Sequence, residues 1–320
     1  MDRNSADLGW SDEQWSRANK VVQEEAQKAR VAAQFLPSVV HPDAVAVAVP
    51  NHALTYRRAA PMDPRRRMLV DANPTTHFTS LAVNVVLTSQ EGCDPEQASA
   101  LIQLKRAANL IARAEDALLL RGQAGPRALV GVGRLPAVFE VGMGARQPGL
   151  LADPDEPPRN YGRRVQVNPG PDGRTLAARI ITATSRLEAR GHNRPFACIL
   201  GNTLYDRLHD PTASMILPRD RVAPALEGPI LRSSTLPAEQ GIVVALGGSP
   251  IEIVVSSELH VKFLQVTTEP RYVLRVSERL ALRVTEWNAI AALHPGAPEA
   301  DDFEVEYDQE DEHAEPHEHQ

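Results

Sequence analysis

Two adjacent carboxylates, Glu115 and Asp116, are the residues best suited to catalysis by type, because they lie within a strongly apolar run. An apolar setting raises a carboxyl pKa, and two carboxyls with unequal pKa values can act as a general acid and a general base. Such a pair more often makes ion contacts at a helix or subunit boundary, and we favour that interpretation.

Two other patterns raise the question of phosphate binding. Three adjacent arginines, Arg65–Arg67, could contact phosphate, but a solvated strand end or an ion-pair site between subunits explains them better. Glycines recur at positions 131, 133, 142 and 144, yet neither G-x-G-x-x-G nor G-x-x-x-x-G-K occurs in the sequence. The sequence therefore predicts no nucleotide loop.

Metal and nucleophile patterns are also lacking in the sequence. No Cys/His group has zinc-ligand spacing, and His313, His317 and His319 lie among the carboxylates of a charged tail that offers no preorganised geometry. No G-x-S-x-G elbow occurs. We predict no metal, no cofactor and no enzymatic activity, with an unrecognised hydrolase kept as a distant alternative.

The net charge of −7 divides unevenly along the chain. Residues 299–320 hold 11 of the 41 acidic residues and none of the 34 lysines and arginines. The remaining body is therefore close to balance, with a small positive excess, and gives no electrostatic reason to expect a nucleic-acid partner. A tail this charged is predicted to be disordered.

Composition limits the compartment and the kind of core. Two cysteines, Cys93 and Cys198, in 320 residues are typical of a reduced cytosolic protein, although one disulfide between them stays possible. The N-terminal residues resemble no signal peptide, and no segment has the roughly 18–20 apolar residues of a membrane span. We expect a cytoplasmic protein without a membrane partner, with a largely aliphatic core because aromatics are only 4%.

Helix signals are clearest in three places. Ser11-Asp12-Glu13-Gln14 forms a capping box, and a stripe of apolar and small residues follows, predicting a front helix over Ser11–Ala33. Asp94 as N-cap and Pro95 at the first helical position predict a spine helix that runs to Arg121. A third helix is expected from Leu176 to Gly191, and a fourth is expected to be capped by Asn202.

Strands are predicted between and after these helices. Residues 44–88 favour extended structure, and Phe196–Leu200 is a short buried strand. Ile242–Leu246 and Ile251–Val255 flank a Gly-Gly-Ser-Pro connection and predict a hairpin. A second antiparallel pair is expected on either side of a turn at Ser277–Arg279. Exposed strand edges and a long extended segment would need partners, so the pattern favours self-association.

The order of these segments resembles that of encapsulins. The similarity lies in the Ser-Asp-Glu-Gln-Trp start of the front helix and in three longer segments. These segments are AANLIARAEDALLLRG at 107–122, LAARIITATSRLEARGHNRPFACILGNTLYDRLH at 176–209, and the strand-rich region 228–290 with GPILRSSTLPAEQGIVVALGGSPIEIVVSSELHVKF and YVLRVSERLALRV. Together they cover about two thirds of the chain. Each motif is weak, but their order and spacing are specific.

The resemblance implies an α+β fold of the tailed-phage major-capsid type, known from the Hong Kong 97 phage. It has a peripheral domain with a long spine helix, an extended loop and an axial domain. The expected divisions are 1–49 for the front helix and start of the peripheral domain, 50–80 for the extended loop, and 81–122 for the spine-helix part of the peripheral domain. They continue with 123–227 for the axial domain with a Gly/Pro-rich insertion, 228–297 for the closing strands of both domains, and 298–320 for the disordered acidic tail.

The resemblance also implies a function. The chain would be a structural subunit that assembles with itself into an icosahedral nanocompartment, in multiples of sixty copies, and encloses a cargo enzyme with a short targeting peptide. Ferritin-like proteins and dye-decolourising peroxidases are the cargo types to expect. A prophage major capsid protein that packages DNA is the alternative, although only about ten residues precede the first helix cap, too few for a scaffolding segment.

Two sites follow from the resemblance. A five-fold pore loop would consist of Glu188, Arg190, His192, Asn193 and Arg194, and five copies of its two arginines would favour small anions. The cargo peptide would bind a lumenal apolar groove, although core packing is a competing explanation for each of its residues. That groove would be formed by Val22, Ala26, Ala29, Phe35, Leu259, Val261 and Phe263.

The sequence departs from the encapsulin pattern at three places. Gln34-Phe35-Leu36-Pro37 stands where the family has an Arg-Arg, Asp and Gly-Pro pattern, the segment 126–170 is longer than usual, and the acidic tail is additional. These departures indicate a divergent member. Because the family's C-terminus lies outside the shell, the tail is expected to form an acidic exterior.

Overall fold

The structure is a computed structural model that describes residues 8–58, 66–72, 74–122, 125–126, 129, 139–141, 149–151, 165–211, 216–267, 269 and 271–295. Within them the helices are α1 (Asp12–Ala29), α2 (Ser89–Gly92), α3 (Ala98–Arg121), α4 (Gly173–Ala189), α5 (Asn202–His209) and α6 (Pro218–Leu226). Short 3-10 turns occupy Ala32–Gln34 and Trp287–Ala289.

The described residues also form fourteen strands, most of them short. In chain order they are β1 (Ser38–Val40), β2 (Ala48–Pro50), β3 (Ala53–Arg58), β4 (Arg66–Asp71), β5 (Thr75–His77), β6 (Thr79–Thr88), β7 (Phe139–Val141), β8 (Val165–Val167), β9 (Phe196–Leu200), β10 (Ile230–Arg232), β11 (Gly241–Ala245), β12 (Ile251–Val266), β13 (Arg271–Val284) and β14 (Ile290–Leu293).

Two five-stranded sheets organise the fold. The first sheet has the order β1-β12-β13-β6-β7, with β1 parallel to β12 and the other neighbours antiparallel. The second sheet has the order β10-β9-β11-β14-β8 and mixes parallel and antiparallel pairs. β2 pairs with β5, and β3 pairs with β4 in a separate antiparallel ribbon. This mixture of helices and strands agrees with the predicted α+β class.

The first core lies between α1, α3 and the first sheet. Its members include Val22 and Ala26 of α1, Leu104 and Ile111 of α3, and Leu274 of β13, each hidden from solvent. α3 has 24 residues and spans about 36 Å at 1.5 Å per residue, which makes it the spine of this part. Burying aliphatic side chains along its length supplies most of the stabilisation of the helix.

The second core lies on one face of the second sheet, beneath α4, α5 and α6. Alternate residues of β9 divide between the two cores: Phe196 and Cys198 face the second, whereas Ala197 and Ile199 face the first. All five residues of β9 are buried, as expected for a strand covered on both faces. The second sheet therefore joins the two cores.

The front helix confirms its predicted cap but ends earlier than expected. Ser11 Oγ accepts from the Gln14 backbone N–H at 3.3 Å, and Gln14 Oε1 accepts from the Ser11 N–H at 2.9 Å. The predicted end at Ala33 is wrong, because Arg30 takes an extended conformation and α1 stops at Ala29. The third helix and the buried strand Phe196–Leu200 are confirmed, with Gly191 at φ +91° after the helix.

Two helix starts differ from the predictions. α3 begins at Ala98, not at Pro95: the Asp94 carboxylate accepts from the backbone N–H groups of Glu96 and Ala98, and Gln97 takes a left-handed conformation at φ 54°. Asp94 thus organises the turn before the helix. In α5 the N-cap is Gly201, and Asn202 is already the first helical residue.

The predicted hairpin between Ile242–Leu246 and Ile251–Val255 is wrong. β11 pairs with β9 and β14 in the second sheet, whereas β12 pairs with β1 and β13 in the first. The glycine-containing connection therefore carries the chain from one sheet to the other, with Gly248 and Ser249 both at positive φ. A glycine turn between two apolar runs does not show whether the runs pair.

The predicted turn at Ser277–Arg279 is also wrong. β13 continues without a break from Arg271 to Val284, and Ser277, Glu278 and Arg279 pair with residues of β6. The polar residues Ser277–Arg279 have the composition of a turn. In the structure the triplet belongs to the ladder between β13 and β6, and the charge of Glu278 is compensated by Arg30.

Candidate functional site

A buried ion cluster holds the end of α1 against α3 and β13. The guanidinium of Arg30, just after α1, donates from Nε to Glu115 Oε2 of α3 and from Nη2 to Glu278 Oε2 of β13. The two carboxylate side chains are only 5% and 3% exposed. A cation shared between two buried carboxylates ties three elements that are far apart in sequence.

Asp116 caps the backbone beside this cluster. Its Oδ1 accepts from the N–H groups of Val31 at 3.0 Å and Ala32 at 2.8 Å, which open the 3-10 turn Ala32–Gln34. These N–H groups would otherwise be unsatisfied at a helix start. The interpretation of this pair as ion contacts is therefore confirmed for Glu115, which binds Arg30, whereas Asp116 accepts backbone N–H groups instead.

Burial dominates the electrostatics of this cluster. Burial raises the pKa of Glu115, and the Arg30 charge opposes it; burial and the Glu115 charge raise the pKa of Glu278. Burial also raises the pKa of Asp116 to about 7, against the N–H groups of Ala32 and Val31. Burial alone would lower the pKa of Arg30, but both glutamates outweigh it and raise the pKa.

The predicted groove residues belong to one buried cluster, in which side chains of α1 and β12 pack against each other. Val22, Ala26, Phe35, Leu259, Val261 and Phe263 all belong to the first core where α1 packs on β12, and Ala29 packs against its edge. Asn19 Oδ1 accepts from the Val261 N–H at 2.8 Å, and Gln23 Nε2 donates to the Leu259 carbonyl at 3.2 Å. A cargo peptide at this place stays a prediction.

The predicted pore loop follows α4 and has a mixed electrostatic character. Arg194 is paired within the chain, to Glu188 at 3.1 Å and Glu227 at 2.9 Å. His192 is buried, with Nε2 4.0 Å from Glu286 Oε2. Burial and the Arg186 charge lower the pKa of Arg190. Asn193 is exposed on the same loop. Whether several copies of this loop surround a pore stays a prediction.

Several large apolar side chains of β4 and β1 are exposed in the described chain. On β4, Met68 is 65% exposed and Val70 is 63% exposed, with Leu69 between them. Val39 and Val40 of the edge strand β1 are exposed as well. The sequence predicted extended structure here, but not which side chains would stay uncovered, because alternation alone does not show which face meets a core.

Several predicted features lie outside the described residues. They include Arg65, the side chains of Arg66 and Arg67, the four glycines of the rejected nucleotide loop and the tail histidines. Both cysteines are free: Cys93 is exposed and Cys198 is buried, so the structure contains no bridge between them. Within the described ranges, no group of three His, Cys, Asp or Glu could hold a metal ion, and no helix is long and apolar enough to cross a membrane.

Comparison with known proteins gives a family match over part of the chain. Residues 158–281 match the Linocin_M18 family, described as "Encapsulating protein for peroxidase". The type 1 encapsulin shell protein EncA of Myxococcus xanthus is 30% identical over 117 residues, which are 36% of this chain and 40% of that protein. The resemblance to encapsulins is confirmed.

Solved structures extend the likeness to the whole architecture. A virus-like particle from Pyrococcus furiosus aligns with a TM-score of 0.63 at 12% identity, over 88% of this chain and 99% of that one. The capsid of an empty GTA particle aligns with a TM-score of 0.53 at 15% identity, over 84% and 90%. The encapsulin-like chain therefore has the Hong Kong 97-type capsid fold, as predicted.

Proposed function

We propose that this encapsulin-like chain is the structural subunit of a closed icosahedral protein compartment that encloses a cargo enzyme. The match of residues 158–281 to an encapsulating-protein family and the capsid fold over most of the chain support this function. A closed shell forms when each subunit makes the same heterologous contacts with its neighbours and the rotations between subunits close into rings. On this proposal residues 50–80 are the extended loop, 81–122 the spine part and 123–227 the axial part.

The observation that carries the proposal is the exposed apolar ribbon of β3 and β4. Met68, Leu69 and Val70 lie in sequence on one strand, and all three are largely exposed in the single chain. A strand with several uncovered apolar side chains favours association, because a neighbouring subunit can remove these side chains from water. We infer that a neighbouring subunit covers this ribbon.

The cargo is proposed by similarity. The matching family is described as encapsulating a peroxidase, which supports a dye-decolourising peroxidase as cargo, with a ferritin-like protein as the second type. The peptide would bind where α1 meets β12, at the edge of the cluster that contains Ala29 and Val261. Five copies of the loop with Arg190 and Arg194 would surround an anion-favouring pore, with Arg194 oriented by its pairs to Glu188 and Glu227.

A capsid that packages DNA is the second candidate, and the likeness to a GTA capsid favours it. The two functions predict different contents. A DNA-packaging shell would contain nucleic acid, whereas a compartment would contain a folded enzyme. The near balance of charge in the body of the chain favours the enzyme, because DNA packing is favoured by a cationic lumen.

The test is negative-stain microscopy of the purified protein, with mass spectrometry and nucleic-acid analysis of the contents. Uniform hollow shells that contain a protein would support the compartment, and shells filled with DNA would transfer support to the capsid. A monomer or dimer would contradict both. Met68→Asp together with Val70→Asp should abolish shells, whereas Lys105→Asp, a reversal of charge at an exposed position of α3, should leave them intact.

A further inference from the structure

A cavity of about 280 Å³ opens where α3, the end of α1 and the β10 edge of the second sheet meet. It is lined mainly by polar groups from separate elements, with Ala29 and Val31 as an apolar wall. The polar lining consists of Arg113 and Asp116 of α3, Asn202 of α5, Arg232 of β10, and the hydroxyl run Ser233, Ser234 and Thr235. Two cations and three hydroxyls around one space are suited to an oxyanion.

Arg113 is the strongest indication of a ligand. Its Nε is buried and has no hydrogen-bond partner among the residues that the structure describes. An unpaired cationic donor away from water costs free energy, because its hydration is lost without replacement. The Asp116 carboxylate, one helical turn further along α3, does not pair with Arg113 Nε. It accepts from the backbone N–H groups of Val31 and Ala32. Because Arg113 lines the cavity, an anion bound there would place an acceptor beside this guanidinium.

Arg232 brings the second guanidinium to the opposite wall in a fixed position. Its Nε donates to Asn202 Oδ1 at 2.9 Å, and its guanidinium lies 5.9 Å from the ring centre of Tyr205. Its contact with the exposed Asp206 is long, at 3.9 Å, so little of its charge is neutralised. The guanidinium is thus oriented while its remaining N–H groups stay available.

The hydroxyl run adds donors at the same wall. Ser233 Oγ and Thr235 Oγ1 are buried and lie 2.8 Å apart, so one of them donates to the other and one O–H remains to donate elsewhere. Ser234 lies between them and is exposed. Together with the two guanidiniums, these groups offer more donors than the two oxygens of a carboxylate can use, but not more than phosphate can use.

Asp116 is the one carboxylate in the lining, and its charge would oppose an anion. Two observations limit that effect. Its oxygens already accept backbone N–H groups from Val31 and Ala32, and burial raises its pKa to about 7, so a fraction of the carboxyl is neutral near neutral pH. The two arginines therefore give the cavity a net positive charge.

We propose that this cavity binds the phosphate group of a small phosphorylated molecule, held by Arg113 and Arg232 with the Ser233–Thr235 hydroxyls. Inorganic phosphate would leave much of the 280 Å³ empty, which favours a phosphate ester whose remaining part contacts the apolar wall of Ala29 and Val31. The site lies at the junction of the two cores, so a bound ester would bridge α3 and the second sheet. This proposal does not depend on the proposed shell function.

Isothermal titration calorimetry of the purified full-length protein, in its native assembly at pH 7, tests the site with inorganic phosphate, glycerol 3-phosphate and acetate as probes. We expect glycerol 3-phosphate to bind more tightly than inorganic phosphate, and acetate to bind much more weakly than both. Equal binding of the two phosphates would assign the site to inorganic phosphate. Acetate binding as tight as phosphate, or no phosphate binding up to millimolar concentration, would overturn the proposal.

Variants assign the binding to this cavity. Arg113→Met should weaken phosphate binding about tenfold or more, because a charge-assisted hydrogen bond is lost, and should leave the melting temperature without phosphate unchanged or slightly higher, because an unpaired donor is removed. Arg106→Met is the matched control, an exposed arginine of the same helix that does not line the cavity. Equal affinities for the wild type and Arg113→Met would overturn the assignment.

A second variant avoids the risk of misfolding. Arg232 is about half exposed, so Arg232→Met should fold normally. We expect phosphate affinity to fall several-fold in this variant as well. If neither arginine changes the affinity, phosphate binds elsewhere and the proposal fails.

Discussion

The two cores of the molecule are built in different ways. The second core is contiguous: apart from β8 and β14, it comes from the stretch between α4 and β11, and its members are all apolar. The first core gathers α1, α3 and the first sheet from three distant parts of the chain and includes the buried charges of Arg30, Glu115 and Glu278.

The sequence similarity follows the same division. The family match, residues 158–281, contains most of the second core but neither α1 nor α3, whereas the fold likeness to the P. furiosus particle covers 88% of the chain at 12% identity. Apolar packing tolerates many sequences as long as volume and pattern are kept. The first core thus shares its geometry with capsid proteins, while its charged cluster depends on particular side chains of this chain.

The difference predicts that pH affects only one core. Glu115 and Glu278 have raised pKa values, so their contribution to stability is complete below the unfolded-state pKa, about 4.3, and is lost as the pH rises through the folded-state pKa. Arg30 limits that loss. Cys198 is the ionisable side chain among the buried described residues of the second core, and burial raises its pKa to about 12, so the packing of this core should be insensitive to pH in this range.

The largest expected effect is that of Arg30→Met. Removing the cation leaves two buried carboxyls without compensation, which should cost about 4 kcal/mol of unfolding free energy at pH 8. The cost should be smaller at pH 5, where the glutamates take up protons. Chemical denaturation at both pH values, at a fixed protein concentration because assembly shifts apparent stability, measures the difference.

Arg17→Met is the matched control for this variant, because Arg17 is exposed on the same helix. It should change stability by less than about 0.5 kcal/mol at either pH. A cost of Arg30→Met that is equal at pH 5 and pH 8 would show that the cluster acts by packing and not by charge.

In the second core, Leu187→Ala should cost about 3 kcal/mol at both pH values. Leu187 is fully buried on the inner face of α4, and its truncation leaves a cavity in an apolar setting. Ile181→Ala on the same helix is the control, since Ile181 is 37% exposed and should lose about 1 kcal/mol or less. A pH-dependent cost for Leu187→Ala would refute the distinction between the two cores.

Asp116→Asn should stabilise the protein by about 2 kcal/mol more at pH 8 than at pH 5. The raised pKa of about 7 means that the aspartate contributes least stability when it is ionised, and an asparagine Oδ1 can still accept from Val31 and Ala32. Melting temperatures of the variant and the wild type across this pH range test it. A constant difference between the two proteins would mean that Asp116 is ionised throughout.

The sequence predicted the local features of both cores better than their distant pairings. The Ser11 cap, the buried strand Phe196–Leu200 and the α4 helix depend on neighbouring residues, so pattern and capping rules found them. The pairing of Arg30 with Glu278 joins residues 248 positions apart, and no local rule predicts it. Without that partner, Glu278 looked like a turn residue.

For the candidate sites as well, the sequence indicated local positions better than the contacts between distant residues. The position of the loop after α4 was correct, but His192 turns into the chain and Arg194 pairs with glutamates, which depends on α6 and on Glu286. The groove residues do meet, because a helix stripe and alternate strand positions were correctly assigned to one face. The sequence could not show that the side chains of α1 and β12 would pack directly against each other, because the distance between two elements is not encoded in their local patterns.

The smallest expected effects compare the two helix caps, one in each core. Ser11→Ala should lower stability by about 1 kcal/mol or less, equally at acid and neutral pH, because the Ser11 hydroxyl does not titrate in this range. Ser16→Ala, an exposed serine within α1, is the control and should be neutral or slightly stabilising. Thermal unfolding at pH 7 and pH 3.5 measures both variants.

Asp172 caps α4 through Oδ1, which accepts from the Thr175 N–H at 2.7 Å, and this bond lowers the pKa of Asp172. A lowered pKa gives stability that is present above the unfolded-state value and is lost as the pH falls through the folded-state pKa. Asp172→Ala should therefore lower the melting temperature at pH 7 and have less effect at acid pH. The cap of α4 would then respond to pH with the opposite sign to the first core: the cap weakens in acid, whereas the first core is weakened by base through its buried carboxyls. If Asp172→Ala has the same effect at both pH values, the aspartate acts as an uncharged cap and this opposition disappears.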